Sequence, residues 1–109
     1  MGDKDYNKLV RDCVPEIIAA DGNACVTEIL LTERYMEMLD AKLDEELAEY
    51  QKSKSLEELA DLLEVMRAVV RAREWTWEQL ERVRKEKVAQ RGGFEKKILL
   101  KRVVEKNCL

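Results

Sequence analysis

No histidine occurs in the 109 residues, and the chain has one proline, four glycines and three cysteines. The missing imidazole excludes Ser-His and Cys-His nucleophilic catalysis within one chain and makes a zinc site a poor fit. Cys13, Cys25 and Cys108 are odd in number, far apart and in no CxxC pair, so no disulfide framework is expected. Cys13 and Cys25 are expected to be small buried or half-buried residues, as free Cys commonly is. Scarce proline and glycine favour helices. No apolar run approaches the roughly 18 residues of a membrane span, and the polar start MGDKDYNK has none of the character of a signal peptide. A cytoplasmic protein with no membrane role is expected. Any catalysis must come from carboxylates, Lys, Arg or a bound metal.

What is abundant is charge, at 39% of residues beside 46% apolar. The net charge of -3 hides an asymmetry: residues 82 to 109 carry ten Lys/Arg against three Glu, whereas residues 1 to 81 carry ten against twenty acids. A basic tail beside an acidic body could serve an anionic ligand, or simply match helix faces to one another. No nucleic-acid recognition motif accompanies the basic tail. The length fits a single domain over residues 1–109.

Signals along the chain define a mainly α fold with three long helices, a short N-terminal helix and a small two-stranded β element. Pro15 and Gly22 bracket the short helix, about Val14 to Asp21. Ala24 to Leu30 is β-branched with rough alternation and predicts a strand. Thr32 is placed to cap a long helix running to about Tyr50, followed by a polar turn over Gln51 to Lys54. Ser55 with Glu58 has the form of a capping box and opens a helix to about Arg73. Thr76 with Gln79 repeats that pattern for a third long helix, which ends at Gly92-Gly93. Phe94 to Val104 is β-rich and basic and predicts a strand that could pair with Ala24 to Leu30.

Carboxylates three apart recur in so acidic a chain (Glu37/Asp40, Glu46/Glu49, Glu58/Asp61, Asp61/Glu64, Glu78/Glu81), so spacing alone is weak. Helix geometry sorts them at roughly 100° per residue. With Leu39 at 0°, the stripe of Tyr35, Met36, Leu43, Leu47 and Tyr50 takes in Glu46 near about -20°, with Glu49 on its border. With Leu59 at 0° on the next helix, the wet strip is Glu57, Glu64, Arg67 and Arg71, and Glu58 and Asp61 lie roughly 100° to 160° to the other side. Carboxylates turned away from solvent need cations. Facing helices that contribute them can hold Mg²⁺ or Mn²⁺. The alternatives are that Glu58 only completes its capping box and that Glu46 pairs with a Lys or Arg.

The pattern EExxE (Glu45, Glu46, Glu49) followed by ExxD (Glu58, Asp61) resembles the signature of the MazG-like, all-α nucleoside triphosphate pyrophosphohydrolases. YNKLVRD (6–12), PEIIAADG (15–22), LEELADLLEV (56–65) and KVAQRGGFEKKILL (87–100) extend the resemblance to a small phosphoribosyl-ATP pyrophosphohydrolase-like subfamily. The resemblance implies a MazG-like helical bundle that hydrolyses an NTP, including a non-canonical one, to the monophosphate and pyrophosphate. It implies Mg²⁺, with Mn²⁺ as a substitute, held by Glu46, Glu49, Glu58 and Asp61. Glu45, Glu46 and Glu49 would be the catalytic acids, Glu45 as a further ligand or outer-shell group. Lys8, Arg11, Arg91, Lys96 and Lys97 would meet the phosphates. Cys13 departs from the subfamily, which usually carries Lys there; if that Lys touches phosphate, its loss would weaken binding or alter selectivity. Phosphoribosyl-ATP as substrate, and a non-catalytic oligomeric nucleotide-sensing or interaction module, are the competing readings. The broad apolar arc from Leu56 to Val70 exceeds what so small a domain buries, which predicts a homodimer or higher homo-oligomer.

Overall fold

The computed structural model describes residues 2–106. Among them are four helices, α1 (Val14–Ala20), α2 (Thr32–Ser53), α3 (Leu56–Ala72) and α4 (Trp77–Arg91). No described helix is long and apolar enough to cross a membrane. The chain divides into two compact units, one ending at Trp77 and the other beginning at Glu78.

In the first unit α1 carries Pro15 in its opening turn, where the missing N–H costs nothing. It closes on Gly22, whose φ of 88° lets its own N–H reach the Ala19 carbonyl and that of Asn23 reach Ile18. The same six-to-one closure ends α3, where Glu74 takes φ 63°, its N–H donates to Arg71 and that of Trp75 to Val70. Here a Glu stands where glycine is the usual choice.

α2 and α3 form an antiparallel hairpin, with Arg73 3.5 Å from Asp40 near the end away from the turn. The turn is shorter than expected. α2 continues through Gln51 and Lys52 to Ser53, because nothing in that polar stretch breaks a helix, and only Lys54 and Ser55 lie between the two. Lys54 adopts the left-handed conformation, and its N–H donates to the Tyr50 carbonyl. Ser55 caps α3 as expected, its Oγ accepting the Glu58 N–H at 3.3 Å. At the start of α2 the expectation fails: Leu31 is the cap residue, with no side-chain hydrogen bond, and Thr32 is already helical.

Among the described residues, the buried apolar core is Leu39 on α2 and Val70 on α3, at 5% and 7% exposure. The apolar residues Leu56, Leu59, Leu63 and Met66 of α3 remain exposed. Cys13 and Cys25 are exposed too, contrary to the expectation of burial. Cys108 lies outside the described residues.

The two-stranded β element is not found among the described residues. Ala24 to Leu30 runs as irregular chain with Val26 and Ile29 fully in solvent. Phe94 to Val104 begins with a turn closed by the Lys97 N–H on the Phe94 carbonyl and continues without a ladder. β-branched composition fits a pleated, half-buried surface. A strand also needs a neighbour's backbone, and neither segment is part of a ladder among the described residues.

In the second unit α4 stops at Gly92, whose φ is 83° and whose N–H donates to the Val88 carbonyl. The helix is amphipathic only weakly, with Val83 and Val88 exposed and Arg84 forked onto Glu81 at 3.0 and 2.9 Å.

Candidate metal centre on the helical hairpin

Antiparallel pairing lays the second half of α2 against the first half of α3, between the Leu39–Val70 level and the turn. That brings Glu46, Glu58 and Asp61 together: one carboxylate oxygen from each lies within 4.8 Å of the others, and all three side chains are half-buried. The helical periodicity that singled them out in the sequence therefore places them on facing sides of the hairpin. Glu49, expected to join them, is exposed at the edge of the group. Its charge is still felt at Glu58.

Glu58 bears the charge of the acids around it. Desolvation first, and then the negative charges of Asp61, Glu49, Glu46 and Glu57, hold its carboxyl above the ordinary range. Its backbone N–H is tied to Ser55 Oγ, while the Ser55 N–H donates to Ser53 Oγ instead of to Glu58, so only half of the expected capping box forms and the Glu58 carboxyl is left to the cluster. The carboxylates present fit a hard divalent ion. They supply oxygen donors from two helices, close enough to share one ion, and concentrate negative charge that such an ion would relieve.

Three cations face the acids. Lys8 Nζ sits 2.8 Å from Glu45 Oε1, and Arg11 Nη2 sits 2.7 Å from Asp61 Oδ1. Lys42, unremarked in the sequence, lies one turn before Glu46 on α2, 3.4 Å from Glu45 and 3.5 Å from Glu46, and is only 17% exposed. The signal that could have found it is its i,i+3 and i,i+4 spacing to those two acids. The Lys8 hydrogen bond, followed by the charges of Lys42 and Lys8, pulls the Glu45 carboxyl below its ordinary range. Glu45 reciprocally raises Lys8. Glu49 and Glu58 make no ion pair among the described residues.

The expected phosphate cations thus divide. Lys8 and Arg11 lie on the acid group itself. Arg91 ends α4, and Lys96 and Lys97 follow in the turn after it, all exposed in the second unit. Trp77 is half-buried beneath the Arg67 guanidinium, 4.9 Å from the ring centre, which leaves one of its faces engaged.

No family model matches the chain, and no solved structure matches it. It is similar to an uncharacterised protein of Mycolicibacterium smegmatis (strain ATCC 700084 / mc(2)155), 52% identical over 42 residues. That stretch is 38% of this chain, and it spans 43% of the relative's length.

Proposed function

We propose that this protein is a Mg²⁺-dependent pyrophosphohydrolase that cleaves a nucleoside triphosphate to the monophosphate and pyrophosphate. The observation that carries the reading is the convergence of Glu46, Glu58 and Asp61 from two helices, at positions of the acidic pattern that resembles the MazG-like signature. Glu46, Glu58 and Asp61 would hold the ion, with Glu49 at its edge. A Mg²⁺ ion there supplies charge compensation for the triphosphate and the leaving pyrophosphate. Glu49, beside the cluster and without an ion pair among the described residues, is the carboxylate available to accept a proton from the attacking water, while Glu45, held by Lys8 and Lys42, would serve as an outer-shell group. Lys8 and Arg11 would bind phosphate oxygens.

The exposed apolar residues of α3 favour a homodimer or larger homo-oligomer that covers them, since Leu56, Leu59, Leu63 and Met66 share the helix that carries Glu58 and Asp61. Sedimentation of a monomer at micromolar concentration would contradict this part of the reading.

Incubation with a panel of canonical and non-canonical NTPs and Mg²⁺, scored by pyrophosphate release beside a Glu49→Gln control, tests the activity. Absence of turnover with every nucleotide, in Mn²⁺ as in Mg²⁺, rules it out. Competition by phosphoribosyl-ATP separates that substrate from the others.

A non-catalytic helical module is the second reading. It is favoured by the ion pairs that Glu45, Glu46 and Asp61 already make with Lys8, Lys42 and Arg11. It expects a melting temperature indifferent to Mg²⁺.

A further inference from the structure

Residues 6–12 are irregular chain ahead of α1, yet they are fixed at two points on two different helices. Lys8 holds Glu45 on α2, and Arg11 holds Asp61 on α3. Asn7, just before Lys8, turns with φ 47°, and the Tyr6 ring lies 5.9 Å from the Lys8 ammonium. The segment is therefore a strap laid across the open side of the hairpin, secured by side chains rather than by a backbone ladder.

Both fastenings are built to let go. The Lys8 and Arg11 side chains are 42% and 61% exposed, and ion pairs so open to water contribute little to stability. Lys42 differs in kind. It is nearly buried and sits on the same helix as its partners, so it stays with the acids whatever the strap does.

Asp61 is shared between the strap and the carboxylate cluster, and Glu45 adjoins Glu46 within it. A divalent ion among Glu46, Glu58 and Asp61 would draw on the charge that now holds Arg11 and would repel both strap cations. We infer that residues 6–12 form a cation-sensitive strap, in which Lys8 and Arg11 compete with a divalent ion for the acids of the hairpin. The competition is reciprocal: the ion loosens the strap by the same factor by which the strap weakens the ion. Once released, Lys8 and Arg11 are free to meet an anion brought in with the metal, so one pair of side chains serves first the carboxylates and then the phosphates. This inference rests on the divalent-ion reading above.

The test uses the whole protein and Mg²⁺ alone. Isothermal titration measures Mg²⁺ affinity for the natural chain and for the Lys8→Gln/Arg11→Gln double variant, with circular dichroism to show that the variant keeps its helices. In parallel, the ¹⁵N heteronuclear NOE of residues 6–12 is followed in the natural chain as Mg²⁺ is added, a readout that needs no variant. The strap predicts affinity about tenfold tighter in the variant, the equivalent of one pair of partly screened like charges removed, together with a fall in the NOE of residues 6–12 on Mg²⁺ binding. Mg²⁺ binding with an unchanged NOE, or with equal or weaker affinity in the variant, overturns the strap and leaves the metal reading intact. No Mg²⁺ binding by either protein overturns both.

Discussion

Arg11 reaches Asp61 across fifty residues of sequence, with Nη2 2.7 Å from Oδ1. The two belong to separate motifs, one read as a phosphate contact and the other as a metal ligand, and the fold sets them against each other. Their pairing ties the segment before α1 to the face of α3 that carries the acid cluster. It also leaves Glu58, one turn before Asp61, without an ion-pair partner among the described residues.

Glu58 titrates above the ordinary Glu range because of desolvation and its acidic neighbours. The folded state therefore holds this proton more tightly than the unfolded chain does. Its contribution to stability is favourable at low pH and is lost as pH rises from the unfolded pKa through the folded one. Carboxyl ¹³C titration of Glu58 should show the raised midpoint, and Asp61→Asn should lower it by removing one repelling charge. An unchanged midpoint in that variant would show that the carboxylates do not interact.

Lys42→Met removes the least exposed cation of the group, taking from Glu46 its ion-pair partner and leaving Glu45 with Lys8. The expected cost is about 1 kcal/mol at neutral pH, measured by urea denaturation. Mg²⁺ at millimolar concentration should restore part of the loss. A variant equally stable with and without Mg²⁺ would count against a cation role for Lys42.

Ser55→Ala deletes the acceptor for the Glu58 N–H at the start of α3. Caps of this kind contribute about 1 kcal/mol, which for a domain of this size lowers Tm by about 5 °C. Since Glu58 is positioned by the same turn, Mg²⁺ affinity should also fall in the variant.

Glu74→Gly should stabilise the protein by about 1 kcal/mol, because Glu74 holds the left-handed position that closes α3. Its side chain makes no ion pair among the described residues. Thermal denaturation checks the sign.

Helix positions were legible where local chemistry decides them. Pro15, Gly22, Ser55 and Gly92 mark their boundaries through conformations that each residue favours on its own account. The acid cluster was legible through periodicity, because a helix of fixed pitch converts spacing into direction. Glu49 was not, since its place on the border of the stripe leaves its side to be decided by packing. The pairing of Lys8 with Glu45 and Arg11 with Asp61 was likewise hidden. A coil segment has no period, so nothing in YNKLVRD states which acids it will meet. The strands at Ala24 to Leu30 and Phe94 to Val104 failed for a related reason: propensity describes a segment, whereas pairing needs two.

The segment after α4 has a colloidal consequence. Phe94 is 97% exposed, and Ile98, Leu99, Leu100, Val103 and Val104 follow it in solvent. Apolar chain of this kind is an invitation to self-association. Lys96, Lys97, Lys101 and Arg102 are interspersed with it and act as gatekeepers whose mutual repulsion keeps neighbouring molecules apart. That protection is only as long-ranged as the ionic atmosphere permits, so added salt should shorten the shelf life of a concentrated solution.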